Sequence, residues 1–261
     1  MNELIPEQYV WAAWSSAFLL PWIVLFLAFP GHRRAMLWAS LFTAPFGLTE
    51  PLFVPEYWNP PSLFDLARRT GFDLESLIFC FAIGGVGAVL YSALTGQRLR
   101  PMSLHEAGAP RHRYHRLAVA SPFLAFPVLY LFGWNSIYPG IAAMAIGTVA
   151  TVLCRPDLKA RTWIGGLLFL GYYTVFLVGL EATAPGYVER VWNLDALSGL
   201  GLAFMPLEEL LFAVTFGMYW SGVYEHFMWR QTEHVHGRGP QATGELRARA
   251  GRTTAPAAAE R

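Results

Sequence analysis

Lysine and cysteine are scarce in this 261-residue sequence, which has one lysine, Lys159, and two cysteines, Cys80 and Cys154. Because Lys159 lies between apolar segments, a retinal Schiff base in the last segment is excluded. Two cysteines in or at the ends of apolar segments are not a disulfide framework. Charged residues make up only 14% of the chain and hydrophobic residues 54%, whereas soluble domains have roughly 25% charged residues. The sequence therefore indicates a membrane-embedded protein.

Motifs for cofactors and metals are also missing. No GxGxxG pattern follows a strand, so a Rossmann domain is not expected, and the glycines at 84–87 indicate close helix packing instead. His112 and His115, like His234 and His236, lie among arginines. Such histidines are more often solvated than bound to a metal, and the multi-histidine pattern of membrane di-iron enzymes is absent. We expect no cofactor, no metal and no nucleic-acid partner.

Seven apolar segments approach the length of about 20 residues that crosses a bilayer. They lie near 9–29, 36–54, 74–94, 117–134, 137–153, 162–180 and 204–228. The first segment is not preceded by a basic region, so we interpret it as a helix rather than a signal peptide. The predicted fold is an all-α integral membrane protein with about seven transmembrane helices.

Basic residues are distributed asymmetrically among the predicted loops. With the N-terminus outside, 16 of the 19 lysines and arginines face the cytoplasm, as the positive-inside rule requires. Only Arg68, Arg69 and Arg190 fall on the outer face. The charge pattern thus predicts an outside N-terminus and a cytoplasmic C-terminus.

The sequence also contains an internal repeat, because PLEELLF at 206–212 is similar to DLESLIF at 73–79. Further residues recur in the same order, at offsets of 131 to 134. The pairs are Glu50 with Glu181, Trp58 with Trp192, Asn59 with Asn193 and Glu75 with Glu208. This order predicts two parallel three-helix repeats joined by a connector helix, as in some transporters.

Domain boundaries follow from the repeat and from composition. We expect a first repeat at 1–95, a basic loop and connector helix at 96–136, and a second repeat with the PLEE motif at 137–229. Residues 230–261 contain few large apolar side chains and are predicted to be a disordered cytoplasmic tail.

Five carboxylates are candidate catalytic residues, because acids in membrane segments are costly and usually functional. They are Glu208, Glu209, Glu75, Glu50 and Glu181. Acids in a first turn after a proline are also typical of an ordinary helix start. The apolar residues 200–205 favour a buried helix start for the first two. Since successive helical residues point about 100° apart, Glu208 and Glu209 cannot both face one partner.

The other three candidates have equally ordinary alternatives. Glu75 follows polar residues at 68–73, which favours an interfacial capping role over catalysis. Glu50 and Glu181 each end an apolar segment shortly before a proline, where a carboxylate at the edge of a loop is as good an interpretation as a catalytic one.

The PLEELLF segment resembles the small membrane lycopene cyclase domains of heterodimeric bacterial and fused archaeal or fungal carotenoid cyclases. The resemblance covers most of 5–228. The family's proline-acidic signature falls on Pro206, Glu208 and Glu209.

The first half carries the signature only in part. There Glu75 retains one acid, whereas Asp73 replaces the proline and Ser76 replaces the second acid.

The resemblance implies an enzyme of carotenoid biosynthesis in a prokaryotic cell (inner) membrane. Such an enzyme would close the linear ends of lycopene, or of a related polyene, to ionone rings by acid/base chemistry without a cofactor. Its expected partners are the lipid bilayer, the hydrophobic polyene and other membrane enzymes of the pathway. Two alternatives stay open: a carotenoid- or isoprenoid-binding or transport protein without catalysis, and a scaffolding subunit.

Overall fold

The computed structural model describes residues 5–234 and is almost entirely helical. Its first part contains α1 (Glu7–Ala17), α2 (Leu19–Ala28), α3 (Arg33–Thr43), α4 (Leu66–Thr70), α5 (Leu74–Thr95), α6 (Leu104–Ala107) and α7 (His115–Tyr130). Its second part contains α8 (Ile137–Cys154), α9 (Lys159–Thr183), α10 (Tyr187–Val191), α11 (Leu207–Trp220) and α12 (Val223–Phe227). Short 3-10 helices join several of them, the longest at Ala44–Leu52.

Within residues 5–234, four helical stretches are long and apolar enough to cross a membrane. They are Glu7–Ala28, Leu74–Thr95, Ile137–Cys154 and Pro156–Thr183. Each coincides with a predicted segment. The all-helical membrane class is therefore confirmed.

The count of seven spans is not confirmed, because helices at the other three predicted positions are short. The segment 36–54 divides into α3 and the 3-10 helix Ala44–Leu52, which contains Pro51, and a proline cannot donate to the helical ladder. The segment 117–134 holds only the 16 residues of α7. The segment 204–228 is interrupted between α11 and α12 at residues 221–222.

Helix α5 lies at the centre of the bundle and packs against α3 at a glycine. A Cβ atom added to Gly84 would lie 3.0 Å from the carbonyl oxygen of Ala39 and closer still to the Thr43 side chain. The backbones of α3 and α5 therefore approach as closely as a glycine allows, which confirms the packing role predicted for this glycine. Elsewhere α11 packs on α8 and α9, and α7 packs on α8.

Two short antiparallel sheets complete the structure. In the first, β1 (Gln97–Pro101) pairs with β4 (Arg230–His234), with Leu99 opposite Thr232. The predicted disorder from residue 230 is therefore wrong for the first five tail residues, whose backbone groups pair with β1; the rest of the tail lies outside the described residues. In the second, β2 (Gly201–Leu202) pairs with β3 (Met205–Pro206) immediately before α11.

Trp58 and Trp192, which lie at corresponding positions of the two predicted repeats, form an isolated antiparallel bridge. The Asn59 amide donates to the Val191 carbonyl at 2.8 Å, and the Asn193 amide donates to the Tyr57 carbonyl at 2.9 Å. This contact is reciprocal between residues that the repeat pairs with one another. The repeat architecture itself stays a prediction.

Candidate active site

A cavity of about 470 Å³ lies inside the bundle, between the 3-10 helix Ala44–Leu52 and helices α5, α7, α8, α9 and α11. Its wall is mainly aromatic and aliphatic, with Trp11, Phe216 and Trp220 among the buried rings. Two carboxylates, Glu50 and Glu209, belong to this wall. The volume falls in the range of ordinary small-molecule sites.

Glu209 is held by three hydrogen-bond donors. The Tyr57 hydroxyl donates to Oε1, the Trp192 indole donates to Oε1 at 2.7 Å, and the Tyr173 hydroxyl donates to Oε2 at 2.6 Å. The side chain is only 3% exposed. Its position is therefore set by residues from the loop after the 3-10 helix, from α9 and from the loop after α10.

Glu50 is less completely satisfied. Its Oε2 accepts a 3.0 Å hydrogen bond from the Ser76 hydroxyl, and no described residue donates to its buried Oε1. Asp73 accepts from the Ser76 amide at 2.5 Å and so caps α5. Burial raises the pKa of Asp73 above its ordinary value. Glu50 thus has one buried oxygen without a hydrogen-bond partner among the described residues.

Glu208 points away from the cavity that its neighbour lines. Its Oε1 accepts from the Tyr138 hydroxyl at 2.8 Å and from the Ser198 amide at 2.9 Å, and it is not part of the cavity wall. The two adjacent glutamates therefore face different partners, as the 100° rotation per residue predicts. In this position Glu208 ties the loop before β2 to α8 and α11.

Glu75 and Glu181 also lie outside the cavity wall. Oε1 of Glu75, in the first turn of α5, accepts from the Leu63 amide at 2.6 Å, and the side chain is buried. Glu181 accepts from the Gly186 amide at 2.5 Å and orders the loop after α9. Of the five candidates, only Glu50 and Glu209 belong to the cavity wall; the catalytic roles stay predictions.

The residues that hold Glu209 were missed by the sequence reasoning. Trp192 was identified only as the repeat partner of Trp58, not as a partner of Glu209. Tyr57 lies one residue before Trp58, which the repeat pairs with Trp192. Tyr173 carried no signal beyond its apolar segment, because nothing local relates it to a glutamate 36 positions later.

Two stacked aromatic pairs form part of the cavity wall. Phe46 stacks on Phe123 with ring centroids 6.1 Å apart, and Phe53 stacks on Phe126 at 6.4 Å. All four line the cavity and are partly exposed. We call these four residues the aromatic seam. Two of them lie in or directly after the 3-10 helix Ala44–Leu52, and the other two lie in α7.

A second polar cluster lies at the other end of α8 and differs from expectation. His112, predicted to be solvated, is buried, and His115 is partly buried. Both lie close to Cys154, because α7 begins where α8 ends. Of the other predicted pair, His236 lies outside the described residues, and the side chain of His234 is not described.

The fold and the cavity define a helical membrane protein with an acid-bearing apolar site. Residues 135–227 match the family described as lycopene cyclase. No curated protein and no solved structure matches the chain. The match confirms the resemblance to the lycopene cyclase domain family over α8 to α12, and it supports a cyclase role in carotenoid biosynthesis in general. It includes Glu209 and Tyr173 but does not extend to the first half of the chain, where Glu50 lies.

Proposed function

We propose that this protein closes the linear ends of lycopene, or of a related polyene, to ionone rings in the cavity between Glu50 and Glu209. The observation that carries the proposal is the presence of two buried carboxylates in the wall of one apolar, aromatic cavity. Such a pair supplies a proton donor and a proton acceptor to a substrate that itself has no polar group.

The reaction needs one proton delivered and one removed. A carboxylic acid protonates the terminal double bond, which leaves a tertiary carbocation. The neighbouring double bond attacks that cation and closes a six-membered ring, so that the positive charge moves to a ring carbon. A carboxylate then removes a proton from the adjacent carbon. The product has the mass of the substrate, and no oxidant or reductant takes part.

We assign proton delivery and proton removal from the hydrogen-bond partners of the two glutamates. Three donors surround Glu209, and an ionised carboxylate, which only accepts, satisfies all three. We therefore assign proton removal and electrostatic stabilisation of the cation to Glu209. Oε2 of Glu50 accepts from the Ser76 hydroxyl, and its buried Oε1 has no hydrogen-bond partner among residues 5–234. We therefore assign proton delivery to Glu50, whose carboxyl group belongs to the cavity wall.

The cavity wall contributes the remaining requirements. A carbocation survives only where water is excluded, and the polyene end would be enclosed by apolar side chains. The rings of Phe216 and Trp220 belong to the wall, and an aromatic ring face that meets the cation would attract its positive charge. The cavity suits one end of the polyene. We propose that the rest of the polyene extends out of the cavity past the aromatic seam toward the lipid.

We further propose that the protein has the predicted topology of two parallel three-helix repeats with a connector, an outside N-terminus and a cytoplasmic C-terminus. The reciprocal contact of Trp58 with Trp192 supports a pseudo-twofold relation. The proposed location is a prokaryotic inner membrane, next to other membrane enzymes of the carotenoid pathway.

Pigment analysis in a lycopene-accumulating bacterial host tests the function. We expect cells expressing the protein to form a product of unchanged mass with one or two rings. Glu50→Gln and Glu209→Gln should each reduce ring formation to background, whereas Glu189→Gln, a change on the exposed face of α10, should not. Membrane levels of all variants are compared by immunoblot.

Two outcomes would contradict the proposal. Wild-type ring formation in either cavity variant would remove that glutamate from the mechanism. Unchanged lycopene that copurifies with the membrane-inserted protein would instead support the carrier function without catalysis.

A further inference from the structure

Three potential metal ligands converge at the end of α8 that carries Cys154. His115 comes from the first residue of α7, Cys154 from the last residue of α8, and His226 from α12. One ligand atom of each lies within 4.8 Å of those of the other two. None of the three lines the cavity, so the cluster is separate from the proposed cyclisation chemistry.

We propose that His115, Cys154 and His226 form a binding site for Zn²⁺. A thiolate with two imidazoles is a donor set that suits this ion. With metal to sulfur and metal to nitrogen bonds of about 2.3 and 2.0–2.1 Å in a tetrahedron, the sulfur to nitrogen separation is roughly 3.6 Å. The distance from Cys154 Sγ to His115 Nδ1 is 3.6 Å. Three protein ligands leave the fourth position to water.

His226 gives the second, independent indication of a ligand. It is only 1% exposed, its Nδ1 lies 3.1 Å from the Thr151 hydroxyl, and no described residue hydrogen-bonds its Nε2. A proton on Nδ1 that is donated to Thr151 leaves the lone pair of Nε2 free, which is the usual arrangement of a metal-binding histidine. A buried nitrogen without a partner is otherwise costly, and a metal would satisfy it.

His112 supports the site without being a ligand. Arg111 donates to its Nε2 at 3.1 Å, so in the neutral ring the proton lies on Nδ1, which is 3.5 Å from Cys154 Sγ. His112 can therefore donate to the sulfur and favour the thiolate form that binds metals.

One neighbouring cation, Arg155, is paired with a carboxylate. Arg155, the next residue after Cys154, is fully buried and makes two hydrogen bonds to Asp157, at 2.8 and 2.6 Å. The Trp229 ring stacks on His115 with centroids 3.9 Å apart and covers it. A bound ion would join the start of α7, the end of α8 and α12, and so fix the ends of three helices.

The test uses the full-length protein in detergent, with a purification tag free of histidine. After treatment with a chelator and then excess Zn²⁺, we expect one retained zinc per chain by mass spectrometry of the metal. Co²⁺ in place of zinc should give an absorption band for charge transfer from thiolate to cobalt. Cys154→Ser should abolish the band and weaken zinc binding by about tenfold or more, whereas Cys80→Ser should keep both.

Further variants separate the site from other histidines and from misfolding. His226→Gln should lose zinc like the cysteine variant, and thermal melting with and without zinc shows whether either variant is folded. The double variant His234→Gln/His236→Gln should bind zinc normally. The proposal would be overturned if the wild type retained no zinc, if the Cys154 and His226 variants retained as much zinc as the wild type, or if the double variant lost zinc.

Discussion

Glu50 and Glu209 come from opposite halves of the sequence and lie in the wall of the same apolar cavity. Both oxygens of Glu209 accept hydrogen bonds, from three segments of the chain, whereas Oε1 of Glu50 is buried without a described hydrogen-bond partner. The pair is thus unequal in its surroundings. An unequal pair suits a reaction in which one carboxyl group gives a proton and another takes one.

Adjacent glutamates should respond differently to the same substitution. In Glu208→Gln the remaining amide oxygen can still accept from both Tyr138 and Ser198, because both donate to one atom. In Glu209→Gln the new amide nitrogen must face a donor. That donor is either the Tyr173 hydroxyl or the two groups that donate to Oε1, the Tyr57 hydroxyl and the Trp192 indole. We expect ring formation to fall to background in Glu209→Gln and to stay within about threefold of wild type in Glu208→Gln, a difference under about 1 kcal/mol in the barrier. Product yield per membrane-inserted protein measures this, and equal loss in both variants would contradict it.

Neighbouring tyrosines on α9 provide a matched pair for the hydrogen bonds to Glu209. Tyr173→Phe removes the 2.6 Å donor to Oε2. Hydrogen bonds to charged groups are worth about 1.5–3 kcal/mol, so we expect cyclisation to slow by about 10- to 100-fold. Tyr172→Phe should have little effect, because no described residue hydrogen-bonds the Tyr172 hydroxyl. Initial rates with substrate in membranes distinguish the two; similar rates in both variants would show that the bond to Glu209 has no catalytic role.

A buried ion pair joins α9 to α12 and should matter for stability. Arg161 Nη1 lies 2.5 Å from Glu225 Oε1, and the two side chains are 2% and 1% exposed. Glu225→Leu leaves a buried guanidinium without its carboxylate, which costs about 3–5 kcal/mol. Combining it with Arg161→Met should recover part of that loss, since the unpaired charge is gone. Thermal melting in detergent measures the stability of the single and double variants. A double variant that is less stable than Glu225→Leu alone would contradict the prediction.

Two glycines test how closely the helices of the bundle pack. Gly84→Ala would put a methyl group against the Thr43 side chain and 3.0 Å from the Ala39 carbonyl oxygen, so we expect destabilisation of about 1–3 kcal/mol from overpacking. Gly171→Ala in α9 meets nothing within 4 Å. It should be neutral or stabilise the helix by up to about 1 kcal/mol. Melting temperatures of the two variants give the comparison, and an unchanged value for Gly84→Ala would argue against the tight contact of α3 with α5.

Much of the fold follows from composition and local spacing. The low charge and the long apolar segments indicate a membrane protein. Four of the predicted segments are helices long enough to cross a bilayer. The other three are shorter than predicted, because hydropathy does not register where a proline or a pair of turn residues ends the regular helix. The strand Arg230–His234 was not predicted, because its partner β1 lies more than a hundred residues earlier in the chain.

Sequence alone also determined that Glu208 and Glu209 must diverge, because the helical rotation of 100° per residue is a local property. Only the tertiary structure decided which of them meets the cavity, that Glu50 joins it there, and that Tyr173 holds it in place. The same is true of Cys154, His115 and His226, which carried no common pattern in the sequence. The physical reason is that helix geometry depends on neighbours in the chain, whereas a site depends on distances between side chains that only packing brings together.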